Sequence, residues 1–153
     1  PVARAYSHYH HEVRLGFETL PFAEAVAQEA ARVAGELERM QENERYTSHR
    51  LMHFGYLSRG RYLEQLQTWH RYFGREQVLV LSSEQLQRDT TATIWRVGEF
   101  LGLRDWQPVQ SITPKVFPYP TLDPAVRQRL ADYFAPYNQA LYAYLGEDYG
   151  WCA

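Results

Sequence analysis

The chain has 153 residues, 45% of them hydrophobic, and sixteen basic side chains against eighteen acidic ones give a formal net charge of -2. That balance excludes a whole-chain field for nucleic acid or an anionic membrane, and the length suits one domain or part of one. The single cysteine, Cys152, excludes an internal disulfide and a cysteine-based zinc site.

Pro1 fits the first turn of a helix, and Val2, Ala5, Tyr6, Tyr9 and Val13 recur at helical spacing until Gly16. A second helix is predicted from Thr19 and Pro21, with Phe22, Ala25, Val26, Ala30, Val33 and Leu37 on one stripe, to about Met40. The polar and basic stretch from Gln41 to Ser58 reads as a loop or a short irregular helix. Gly60 opens a third periodic segment, Tyr62, Leu63, Leu66, Trp69, Tyr72 and Phe73, ending at Gly74, with Leu66 and Trp69 as core. Val78-Leu79-Val80-Leu81 has the uninterrupted apolar character of a strand buried on both faces of a parallel sheet. A lone strand cannot pair its own backbone, so its partners are expected outside this sequence. Ser83 and then Thr90 or Thr91 start two further helical pieces, the second stopped by Gly102. Asp123 and Pro124 form an N-cap and first-position pair for a final helical region, 126–145, with an interruption expected near Pro136 and a stop at Gly146.

The opening Pro1-x-x-Arg4-Ala5-x-Ser7-x-Tyr9 resembles the 3'-phosphate motif of sulfotransferases that use PAPS (3'-phosphoadenosine-5'-phosphosulfate), in which an Arg two residues before the proline and the Ser hold the phosphate. Gly60-x-Tyr62-x-x-x-Leu66-x-x-Trp69 followed by the 78–81 run is similar to an arrangement in the heparan-type and bacterial members. Pro114-Lys115-Val116-Phe117-Pro118-Tyr119-Pro120 stands where the family carries a Ser-Lys-Gly-Arg loop, with Val116 and Phe117 departing from that pattern. The tail from Tyr133 to Trp151 resembles the closing helix.

The resemblance implies an α/β fold, P-loop-like, with a parallel sheet flanked by helices, of which residues 1–153 are the mostly helical C-terminal half. It implies Ser7, Lys115, Gly60 and Tyr62 at the nucleotide, PAPS as donor and PAP as product, and an acceptor that is a small molecule or a glycan. The N-terminal half of the same domain is the expected partner, because no Gly-rich loop ending in Lys-Ser or Lys-Thr is present to cradle the phosphosulfate, and the catalytic base is expected upstream. The isolated chain is therefore expected to be inactive.

From Arg39 to Arg75 seven Arg face three Glu, and Arg50 and Arg59 are the candidate acceptor contacts. His8 and His11 are three apart, but no carboxylate or thiol is evident to complete a closed site, so no metal is expected. No apolar run reaches the roughly 20 residues of a membrane span, no signal peptide is evident, and a cytoplasmic location is expected. The alternative is a helical binding or scaffold domain that keeps this architecture without catalysis; nucleic acid is not an expected partner.

Overall fold

The computed structural model describes residues 1–104, 106–107 and 118–151. They form two compact units, Pro1–Glu64 with Tyr119–Ala153, and Gln65–Pro118. The helices are α1 (Val2–Leu15), α2 (Phe22–Arg32), α3 (Glu36–Glu42), α4 (His49–Phe54), α5 (Tyr62–Trp69), α6 (Ser83–Arg88), α7 (Thr90–Phe100) and α8 (Pro124–Leu145), with short 3-10 turns at Ser58–Gly60 and Arg75–Gln77.

In the first unit α1 stops where expected. Gly16 adopts φ 80°, and its N–H returns to the carbonyls of Glu12 and Val13. The single helix expected to run to about Met40 is instead two. Gly35 takes φ 73°, a left-handed conformation that a helix interior does not accommodate, and α3 restarts at Glu36. The basic stretch contains α4, which Ser48 caps by accepting from the Leu51 N–H at 3.0 Å. Asp123 caps α8, accepting from Ala125 and Val126. The expected interruption at Pro136 is absent: its ring lies on the exposed side, while Phe134, Asn138 and Leu141 on either side of it are buried. The helix thus forgoes one backbone bond without breaking.

Ala5, Phe22, Ala25, Val26, Tyr56, Leu122 and Leu130 make the core, against which Val2, Tyr6 and Tyr9 of α1 pack. Fully burying each large side chain stabilises by about 1.5–3 kcal/mol. Two positions of the predicted stripes turn outward, Val13 at 41% and Leu37 at 52% exposure, and their neighbours Glu12 and Glu36 take the inward places.

The second unit is built on α6 and α7. Ser82 caps α6 through the Gln85 N–H, and Asp89 caps α7 through the Ala92 N–H. A Cβ added to Gly98 would collide with the Trp106 indole, which fits glycine to that place. Residues 78–82 lie outside any helix, with Val78 extended (φ -124°, ψ 104°), and no strand forms among the described residues. An apolar run without a partner strand has no ladder to join, so a sheet is not part of the described structure. Trp69, expected in the core, is 59% exposed.

Candidate functional site

Four carboxylates decide how the first unit is held together. Glu12, Glu18, Glu29 and Glu36 are each only 2–3% exposed. Glu29 of α2 accepts from the N–H groups of Leu57 and Ser58 (2.5 and 2.8 Å) and so fixes the entry of the 3-10 turn. Glu18 accepts from Arg32 at 2.5 Å, from the Tyr56 hydroxyl at 2.9 Å and from the N–H groups of Thr19 and Leu20. Burial pushes its carboxyl up, but the Arg32 and Tyr56 side-chain bonds and the two N–H bonds together outweigh it and hold the group below the usual range. Glu36 accepts from Ser48, from Tyr46 at 2.7 Å and from Arg39 at 3.2 Å.

Glu12 joins α1 to α4. The His53 Nδ1 donates to one carboxylate oxygen at 2.6 Å, and His8 Nε2 lies 3.1 Å from the other. That same His8 nitrogen is 3.1 Å from the Met52 carbonyl. Two acceptors on one ring nitrogen require it to carry the proton. Burial first, then the Arg4 charge, pull the His8 ring below its ordinary pKa, so it is neutral at pH 7 with its lone pair on Nδ1. Glu12 is therefore a carboxylate partner for His8, at the i,i+4 spacing of one helix face. The pair it makes with His53 spans 41 residues, beyond the reach of any local pattern. Among the described residues no group of three or more His, Cys, Asp or Glu is placed to hold a metal ion.

The 3-10 turn brings Gly60 onto the start of α1. A Cβ at Gly60 would lie 2.6 Å from the Phe134 ring and 3.3 Å from Pro1, so glycine is required for α8 and α1 to close here. Tyr62 follows, its ring edge-on to Trp151 at 5.6 Å, and Trp151 is tied back through its N–H to the Tyr142 hydroxyl. The tail thereby fixes the aromatic that stands beside the first turn of α1.

That first turn carries no acidic residue and no side-chain cap. Its free N–H groups and the positive end of the helix dipole favour an anion. Arg4 rises from it with Nη1 buried and without a hydrogen-bond partner, and Ser58 Oγ is in the same condition. Burial pulls the Arg4 guanidinium below its ordinary pKa; Tyr62 opposes this, Arg59 adds to it, and Glu29 opposes it. One turn further on, Ser7 presents its hydroxyl to solvent. A guanidinium that is part-buried and unsatisfied beside uncapped N–H groups suits a phosphate. Gly60, against Pro1, and Tyr62, which acts on Arg4, thus lie at the start of α1, and Ser7 follows on the same helix. Arg4 lies within the motif but is not one of the two residues that the motif assigns to the phosphate. Lys115 lies outside the described residues.

The two arginines expected at the acceptor make different contacts. Arg59 donates to the Met52 carbonyl at 3.3 Å, the acceptor it shares with His8. Arg50 lines a cleft of about 390 Å³ with Ala31, Arg32 and Phe54. No helix among the described residues is long and apolar enough to cross a membrane.

A family model described as a sulfotransferase domain matches residues 1–116. Heparan sulfate glucosamine 3-O-sulfotransferase 6 of Mus musculus is 29% identical over 121 residues, covering 60% of this chain and 34% of the relative. Heparan sulfate glucosamine 3-O-sulfotransferase 3B1 of the same species is 28% identical over 121 residues, covering 60% and 30%. A crystal structure of a sulfotransferase from Alicyclobacillus acidocaldarius superposes with a TM-score of 0.74 and 32% identity, covering all of this chain and 54% of that one. The chain thus spans about a third of the curated relatives and about half of the solved structure.

Proposed function

The chain belongs to the sulfotransferase domain family, and from that premise we propose that it forms the 3'-phosphate-holding part of an enzyme that moves a sulfonate group from PAPS to an acceptor hydroxyl on a glycan. The observation that supports this reading is the start of α1, where an uncapped first turn carries Arg4, its Nη1 buried without a partner and its charge influenced by Tyr62, with the exposed Ser7 three residues further along the same helix. PAPS, when bound, supplies the activated sulfonate. The residues of this chain bind and orient it. Arg4 supplies charge, Ser7 and the first-turn N–H groups supply neutral donors, and Gly60 lets the 3-10 turn seat against Pro1.

The glycan acceptor draws support from the two mouse relatives, whose names specify heparan sulfate glucosamine. The strands that would pair with the 78–81 run to make the parallel sheet, the phosphosulfate loop and the base belong in this proposal to the N-terminal half of the domain. On that division of labour the chain by itself does not catalyse transfer.

The test is transfer of labelled sulfonate from PAPS to a panel of glycans by the full-length protein, with Ser7→Ala alongside. The reading predicts transfer that the substitution reduces by raising the KM for PAPS. Binding of PAP with no transfer to any acceptor would favour the non-catalytic scaffold instead.

A further inference from the structure

Four residues after Arg4, and so on the same face of α1, stands His8. Side chains on a helix lean towards its N-terminus, which carries the His8 ring back over the turn that bears Arg4. The two lie within electrostatic reach, since burial first and the Arg4 charge second oppose protonation of the ring. Arg59, which donates to the Met52 carbonyl at 3.3 Å, adds a further positive charge against it, and Glu12 is the anion that favours it. The His8 side chain is only 9% exposed.

Three contacts fix that ring. Its Nε2 lies 3.1 Å from Glu12 Oε1 and 3.1 Å from the Met52 carbonyl, and the Tyr56 ring meets it edge-on at 5.2 Å. Glu12 is itself held at 2.6 Å by His53 of α4. With the proton on Nε2, Nδ1 can only accept, and it is buried without a hydrogen-bond partner. Arg4 Nη1 is buried in the same condition, and a guanidinium can only donate. The two unmatched atoms are thus of complementary sense. A buried polar atom left unmatched is costly, and pairing these two removes the cost at both ends.

We propose that His8 is a positioning residue for Arg4: in the donor complex its Nδ1 accepts one guanidinium N–H and so aims the remaining ones at the 3'-phosphate. This rests on the donor reading above. The guanidinium carries five N–H donors in a fixed fork, enough to serve the imidazole and two phosphate oxygens at once. His8 does not touch the phosphate; it acts through Arg4. The contacts from His53 through Glu12 and His8 to Arg4 then run from α4 to the first turn of α1. A long side chain with many rotamers is thereby held in the one that keeps its charge on the phosphate, which lowers the ordering cost of binding.

The experiment is calorimetry with PAP on the full-length protein at neutral pH, comparing wild type, Arg4→Gln, His8→Gln, His8→Asn and the double variant Arg4→Gln/His8→Gln. Glutamine places its amide where Nε2 stands and reaches Glu12, but offers no acceptor at Nδ1. Asparagine places its oxygen at Nδ1 and gives up Glu12. His8→Gln is expected to weaken PAP by about three- to tenfold, and His8→Asn by less. Once Arg4 is Gln, His8→Gln is expected to have no further effect. The reverse order of the two variants at position 8, or a His8→Gln effect that persists in full beside Arg4→Gln, overturns the assignment and leaves a structural role through Glu12. Nitrogen-15 NMR of the His8 ring needs no variant at position 8. In PAP-saturated wild type Nδ1 should report a hydrogen-bonded lone pair, and in PAP-saturated Arg4→Gln a free one; identical signals overturn the assignment. A weakened Arg4→Gln with an unaffected His8→Gln overturns the positioning alone. No PAP binding by wild type, or equal binding by wild type and Arg4→Gln, overturns the donor reading and the positioning with it.

Discussion

Replacing Glu18 by Gln tests whether buried carboxylates hold the first unit together. The carboxylate is 3% exposed and serves four donors, two of them backbone N–H groups, one the Tyr56 hydroxyl and one Arg32. Gln keeps the volume and one acceptor but leaves the Arg32 guanidinium without its counter-charge. Removing one partner of a buried pair costs about 3–5 kcal/mol, and the Arg32 side chain is 21% exposed, so the lower end, about 3 kcal/mol, applies. For a chain of this size that corresponds to a fall in Tm of about 6–12 °C. Because the folded-state pKa of Glu18 is depressed, its contribution is present above the unfolded carboxylate pKa of about 4.3. It is lost as pH falls through the lower folded value. Thermal unfolding followed by circular dichroism should show the full gap between wild type and variant at pH 7 and pH 6, closing only below about pH 4. An unchanged Tm at pH 7, or a gap that is the same at pH 3 as at pH 7, would refute the reasoning.

Gly60→Ala forces a Cβ to within 2.6 Å of Phe134 and is expected to cost about 1–3 kcal/mol in urea unfolding; an unaltered midpoint would show that the closure is looser than described. Asp123→Ala removes the α8 cap and should cost about 1 kcal/mol, read in the same assay. His8 should titrate below its ordinary 6.5 and carry its proton on Nε2, which nitrogen-15 NMR of the ring reports directly. Since that pKa is lowered on folding, this residue costs stability as pH falls from about 6.5 through its folded value; a midpoint above 6.5 would contradict the assignment.

The ends of α1 and α8 were legible because their signals are local. Gly16 stops one helix, and Asp123 with Pro124 starts the other. The break at Gly35 was not, because the apolar stripe continues across it to Leu37 and periodicity alone does not register a left-handed residue. Val13 and Glu12 lie side by side on α1, and the acid turns inward to His8 and, across 41 residues, to His53. Trp69 carries a core-like spacing yet is exposed, since spacing reports a face and not what covers it. The 78–81 run has strand character, but a strand exists only with a neighbour. At the candidate site Ser7, Gly60 and Tyr62 followed from resemblance. Arg4 became visible only once its buried Nη1 was found without a partner.

The most direct measurement is calorimetric titration of the full-length protein with PAP, comparing wild type, Ser7→Ala and Arg4→Gln. The account predicts saturable binding that weakens in both variants, by about three- to tenfold for the loss of the neutral serine donor and by more for the loss of the charge. PAP binding with the same affinity in all three proteins would contradict a 3'-phosphate site at the start of α1.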